Sequence, residues 1–194
     1  MTRIVAVSGS RNADSTTRAA LRVALDAAAD AGAETDLIDL GAVDLPLYHP
    51  DEDAQGDSEE LKRRVREADG VLAGTPVYRG SYSSTFKNFH DFCGSDEYEN
   101  TAVGLLATAG GGSYGGTLEH LRSTFRNVHA WTVPHEVGIR GASSKVETGT
   151  GEGAGGTDGE PRITDADLRR RTERLGRVVL EHAERLRERP ATDA

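Results

Sequence analysis

Ile4-Val5-Ala6-Val7 is an unbroken apolar run that stops at Ser8-Gly9-Ser10, the pattern of a strand buried on both faces and closed by a tight turn. From Ser15 the spacing turns helical: Ala19, Ala20, Val23, Ala27 and Ala28 share one face up to Gly32. Thr35 to Leu40 alternates as a second strand, and Gly41 to Asp57, with Pro46 and Pro50, reads as a long loop. Ser58-Glu59-Glu60-Leu61 opens a helix expected to reach Asp69, Gly70 to Gly74 is a third strand, and Ser83 to Phe92 another helix. Ala102 to Ala107 predicts a fourth strand, followed by a glycine-rich turn and a helix over Thr117 to Asn127. Ala130 begins a fifth strand. Asp165 to Arg187 is the last helix, with Leu168, Leu175, Val178, Val179 and Leu186 as its apolar stripe. Five strand–helix alternations predict a parallel sheet with helices on both faces, an α/β architecture in one domain spanning 1–194. Glu147 to Glu160 is almost wholly Gly, Thr, Ala, Asp and Glu, and reads as a flexible surface loop within that domain.

Charge narrows what such a domain can bind. The chain carries 23 basic and 32 acidic side chains, a net charge of −9, and offers no concentrated positive face to nucleic acid. It has no apolar run long enough for a membrane helix, and its N-terminus is strand-like rather than a signal peptide, so a cytoplasmic location is expected. Cys93 is the single cysteine, which excludes an internal disulfide and any cysteine-based metal site. His49, His90, His120, His129 and His135 show no metal-ligand spacing, so no metal is expected. Only Lys62, Lys87 and Lys145 are lysine, so arginine supplies nearly all the positive charge. An acidic proteome adapted to high salt gives this composition; a GC-rich genome gives it too.

In an open parallel sheet, ligands bind beyond the carboxyl ends of the strands. Three of those ends are unusual here. Ser8 to Thr17 lacks the G-x-G-x-x-G and G-K-[ST] patterns, yet supplies a glycine turn, Arg11, the hydroxyls of Ser10, Ser15, Thr16 and Thr17, and a helix N-terminus. That set suits a phosphate monoester; simple capping by Asp14 or Ser15 would need one such residue. Pro76-Val77-Tyr78-Arg79-Gly80-Ser81 follows the third strand, where backbone amides could face a flat polar heterocycle and Tyr78 and Tyr82 could stack on it. Ala109-Gly110-Gly111-Gly112, with Tyr114 beyond, follows the fourth; so many glycines let a ligand lie against the backbone.

These segments resemble the NADPH-dependent FMN reductase family, whose members include flavin, quinone, azo-dye and chromate reductases. The resemblance rests on Gly9-Ser10-Arg11 to Thr17, on Pro76-Val77-Tyr78 to Phe86-Lys87-Asn88, and on Ala109 to Gly116, and covers roughly residues 3–140. Two positions depart from the family pattern: Arg11 stands one place early, with Asn12 at the usual arginine position, and Val77 replaces a common glutamate. The resemblance implies a flavodoxin-like three-layer α/β/α sandwich with sheet order 2-1-3-4-5. It implies FMN with its phosphate on Ser8 to Thr17 and its ring between Pro76–Ser81 and Ala109–Tyr114. It also implies NADPH or NADH as hydride donor, a quinone, free flavin or similar acceptor, chemistry on the flavin N5 without a catalytic side chain, and a homodimer or homotetramer joined near Lys87, Asn88 and Asp91.

Two other readings use the same residues. Gly111-Gly112-Ser113-Tyr114-Gly115 matches the G-x-S-x-G elbow of serine hydrolases, and Asp158 or Asp165 followed by His182 would complete a triad order. A flavodoxin-like electron carrier without enzymatic activity is the other. Of the remaining residues, Cys93 is expected to be packed, Trp131 to lie in the core or at an interface, and Tyr48 is a candidate for the border of a substrate pocket. FMN, NADPH and the chain are all anionic, so affinity must come from local dipoles and amides, with Arg11 and Arg79 as nearby cations.

Overall fold

The computed structural model describes residues 1–53, 55–149 and 159–188. The elements are β1 (Arg3–Ser8), α1 (Thr16–Ala29), β2 (Glu34–Asp39), α2 (Ser58–Arg66), β3 (Gly70–Pro76), α3 (Ser84–Phe92), α4 (Ser95–Tyr98), β4 (Ala102–Ala109), α5 (Gly115–Asn127) and β5 (Trp131–Arg140). After a short 3-10 turn come β6 (Val146–Glu147), β7 (Arg162–Ile163) and α6 (Ala166–Arg187). β1 to β5 form one parallel sheet in the order β2-β1-β3-β4-β5, the flavodoxin-like order.

Each central strand is apolar along its whole length because both of its faces are covered. On β1, Ile4 and Ala6 point into the layer made with α1 and α6, whereas Val5 and Val7 point into the layer holding Leu61 of α2, Phe86 and Phe89 of α3, and Phe125 of α5. The first layer is very tight. A Cβ on Gly176 of α6 would stand 1.9 Å from the Ala24 carbonyl oxygen of α1, so the two helices cross backbone to backbone. Val179 of α6 likewise sits where side chains at Gly70 and Gly104 would project.

The boundaries sharpen the sequence pattern. α2 ends at Arg66 rather than Asp69, because Asp69 turns its carboxylate to the Arg3 amide (2.8 Å) at the start of β1. α5 begins at Gly115 rather than Thr117, and β5 at Trp131 rather than Ala130. Trp131 is half-exposed, so it is not a core residue. Glu147 belongs to β6, paired antiparallel with β7, so the segment expected to be a loop starts later; positions 150–158 lie outside the described residues. The helix α4 was not read from sequence. Its Glu97 accepts a hydrogen bond from the Gly94 amide (2.7 Å) and carries an ion pair to Arg66. Among the described residues no helix is long and apolar enough to cross a membrane.

Candidate functional site

The three segments singled out above meet at the carboxyl end of the sheet, and hydrogen bonds tie each to the next. Thr17 Oγ1, in the first turn of α1, lies 2.6 Å from Thr108 Oγ1 at the end of β4. Ser83 Oγ donates to the Gly9 carbonyl at 2.6 Å, and Thr75 Oγ1 accepts from the Ser83 amide at 2.9 Å. The Val77 amide donates to the Thr108 carbonyl at 2.8 Å. All of these hydroxyls are buried, so each bond replaces water that has been excluded.

The first loop carries more donors than its own structure uses. Ser15 is the N-cap, accepting from the Arg18 amide at 3.1 Å, which settles the choice between Asp14 and Ser15. Ser10 Oγ accepts from the Asn12 amide, and Arg18 pairs with Asp39 at 2.7 Å while also reaching the Ala13 carbonyl. Arg18 thus braces the loop, a role visible only once β2 is placed beside β1. Among the described residues the amides of Ser10, Arg11, Ser15, Thr16 and Thr17 carry no hydrogen bond. The Ser8 hydroxyl, at the end of β1 and fully buried, has none either. A buried hydroxyl without a partner is costly, and at a strand end below a helix N-terminus it marks a place where a ligand oxygen fits. Arg11 is exposed at the rim.

The second loop is a two-residue turn. Tyr78 and Ser81 exchange backbone hydrogen bonds of 2.9 and 3.1 Å, and Arg79 and Gly80 both take left-handed backbone angles (φ 53° and 80°). That is a type I′ turn, and holding Arg79 there costs strain that Gly80 avoids. The Val77, Tyr78 and Ser81 amides are engaged within the protein, so among the described residues only those of Arg79 and Gly80 are left for a heterocycle. Pro76 and Val77 are half-buried, and Tyr78 is 58% exposed. Ser81 Oγ lies 3.0 Å from His120 Nδ1 on α5, a contact with no sequence signal.

In the third loop, Ala109 is buried, and a side chain at Gly110, Gly111 or Gly112 would meet nothing within 4 Å. The backbone here is bare on its outer side. Arg140 at the end of β5 holds it by donating to the Gly111 carbonyl at 2.9 Å. Tyr114 departs from expectation. Its ring lies flat on Gly138 of β5, where a Cβ would stand 2.0 Å from Cδ2, so that face is packed rather than offered to a ligand.

The hydrolase arrangement is not assembled. Ser113 Oγ faces the Gly115 amide at 3.4 Å, and His182 Nδ1 is hydrogen-bonded to the Val178 carbonyl of its own helix. Asp165 caps α6. The helix end that carries His182 runs to the amino side of the sheet, where Arg187 meets Asp69, whereas Ser113 stands at the carboxyl side. Asp158 lies outside the described residues. Cys93 is buried, and desolvation pushes its thiol up out of the reactive range. Tyr48 packs edge-on against Phe92 (5.0 Å between ring centroids) and its amide donates to Asn88 Oδ1, fixing the 41–57 loop on α3.

The sequence profile of the NADPH-dependent FMN reductase family matches residues 2–144. An NADPH azoreductase of Bacillus sp. (strain OY1-2) is 36% identical over 136 residues, 68% of this chain and 72% of its own. An NADH-dependent FMN reductase of Pseudomonas putida is 34% identical over 135 residues, 68% of this chain and 73% of its own. Among solved structures, an NADH:FMN oxidoreductase in its apo form superposes with a TM-score of 0.71 over 99% of this chain and 94% of its own, at 20% identity.

Proposed function

The chain belongs to the NADPH-dependent FMN reductase family, and from that premise we propose that the three tied loops hold FMN and that the protein passes hydride equivalents from NAD(P)H to a small acceptor. The unpartnered Ser8 hydroxyl beneath the free amides of the first loop carries this reading. In it, Ser8, Ser10, Arg11, Ser15, Thr16 and Thr17 take the phosphate. Pro76 to Ser81 and Ala109 to Gly112 take the ring, with Tyr114 supporting the third loop from behind.

When bound, the cofactor supplies two-electron exchange between a nicotinamide nucleotide and an acceptor. The chain's part is to bind and orient. The positive end of α1 and the loop amides neutralise the phosphate, and the bare backbone at Gly110 to Gly112 admits a flat ring without steric conflict. The amides of Arg79 and Gly80, which carry no hydrogen bond among the described residues, would be the turn's donors to acceptor atoms of the ring. No side chain is asked to act as acid or base.

The acceptor class comprises quinones, free flavins and the azo compounds named for the Bacillus relative. We take the chain as one cytoplasmic domain assembling as a homodimer or homotetramer. The exposed Leu47 and Tyr48, held on α3 beside Lys87, Asn88 and Asp91, support that assembly. Spectra before and after anaerobic NADPH or NADH test the function. FMN-reconstituted protein should absorb near ~450 nm, and the band should bleach. No flavin absorbance after reconstitution overturns the reading, and a band that neither nucleotide bleaches replaces it with an electron carrier.

A further inference from the structure

The Ser81–His120 contact lies outside every motif that carries the proposed function, yet it reaches directly into the second loop. His120 is exposed on α5, its Nδ1 3.0 Å from Ser81 Oγ and its ring edge-on to Tyr82 at 6.4 Å. A Cβ on Gly116, one helical turn before His120, would lie 3.5 Å from the Gly80 carbonyl, so α5 supports the turn at two points. A neutral imidazole carries its proton on Nδ1 or on Nε2. In the Nε2–H form, which the Ser81 hydroxyl selects by donating to Nδ1, the histidine accepts the Ser81 proton and leaves the serine oxygen only as an acceptor. Protonated, it donates to Ser81 Oγ, and the serine O–H is free to donate elsewhere.

We propose that His120 is a positioning residue that sets whether the Ser81 hydroxyl presents a donor or an acceptor to the flavin, coupling cofactor binding to the protonation of α5. This rests on the placement of FMN at the second loop. Oxidised flavin exposes mainly acceptors along its polar edge, so the donor form of Ser81, with His120 protonated, favours it. His120 meets Ser81 and Tyr82; the charged and titratable residues of the turn, α3 and α5 are Tyr78, Arg79 and Tyr82, then Lys87, His90 and Asp91, then Glu119, Arg122 and Arg126. Of these, Lys87 is paired with Asp91 and Arg122 with Glu136, while His90 is buried among Phe86, Tyr98 and Phe125. His120 is the titratable group bonded to Ser81.

The test is the dissociation constant of FMN between about pH 5.5 and 8.5, by fluorescence quenching, for the wild type, Ser81→Ala, His120→Phe and His120→Gln. Titration of the FMN phosphate is common to all four and cancels in their differences. His120→Phe leaves the Ser81 O–H free at every pH, so the two should converge at the acid end, and the wild type should bind roughly threefold more weakly at the alkaline end, the worth of one modest hydrogen bond. Ser81→Ala should remove that difference, and His120→Gln, which keeps a donor at every pH, should bind well without the pH dependence. Loss of affinity in Ser81→Ala with the wild-type pH profile intact in His120→Phe overturns the role of His120 alone. Affinity unchanged in Ser81→Ala at every pH removes Ser81 from the flavin site and overturns the placement as well.

Discussion

The two ends of the sheet are built from different chemistry. At the amino end, charges meet charges: Arg66 with Glu97, Arg187 with Asp69, and Arg3 with Glu67. At the carboxyl end the groups that tie the loops together are hydroxyls and amides, with Arg140 on the Gly111 carbonyl and Asp39 taken by Arg18. The amino end also has an open depression, lined by Arg66, Asp69, Glu97, Asn100 and Arg187, whose named charges neutralise one another. One end pairs its charges and is structural; the other keeps a run of backbone donors in excess of its own needs. In a chain of net charge −9, a dianionic ligand can be held only where such surplus donors converge.

If that division is right, mutations at the two ends should have separable effects. The largest is at the amino end. Glu97 is buried and satisfies both Arg66 and the Gly94 amide, so Glu97→Ala should cost about 2 kcal/mol in urea unfolding, less than a fully buried pair because Arg66 is half-exposed. FMN affinity, measured on the folded variant, should not move; a matched fall in affinity would join the two ends and defeat the distinction.

A smaller effect of opposite sign is expected at the carboxyl end. Ser8→Ala deletes a buried hydroxyl that has no partner, so the apoprotein should keep its stability or gain up to about 1 kcal/mol. The same change should weaken FMN several-fold, roughly 1 kcal/mol. A destabilised apoprotein with unaltered FMN binding would make Ser8 structural, like its counterparts at the other end.

The smallest effect lies between the ends, in the aromatic cluster of Phe86, His90, Tyr98 and Phe125. Burial holds the His90 imidazole below its usual 6.5, against a weaker opposing hydrogen bond to the Thr124 backbone. The unfolded chain therefore binds the proton first, and stability should fall as pH drops below about 6.5 and level off below the folded-state value. In His90→Phe, urea midpoints between pH 7 and 5 should lose this part of the slope. A slope identical to wild type would mean that other groups dominate acid sensitivity.

The strands and the three loops could be read from the chain because both are written locally, whereas the sheet order came from the family resemblance. Val5 and Val71 lie in apolar runs cut by turn residues, and Gly110 to Gly112 have no interior use. Contacts that join distant segments left no such trace. Tyr114 reads as a free ring until Gly138 is placed under it, and His120 reads as a solvated helix residue until Ser81 arrives from 39 positions away. Helix α4 escaped because Ser95-Asp96-Glu97-Tyr98 is held by Arg66 and Gly94 rather than by an apolar stripe. Of the two readings of Trp131, the core one fails because this aromatic starts an edge strand and stays half-exposed.

The close seating of α6 has a consequence for how the protein is made. Its Val179 fills the space over Gly70 and Gly104, and its Gly176 meets Ala24, so the last helix seals one face of β3, β4 and β5. All three loops at the carboxyl end precede it in the chain. During synthesis they emerge on a sheet whose other face is still wet, and the site gains its final rigidity only when α6 docks. A cofactor held by the three loops would therefore be bound firmly only once α6 is in place.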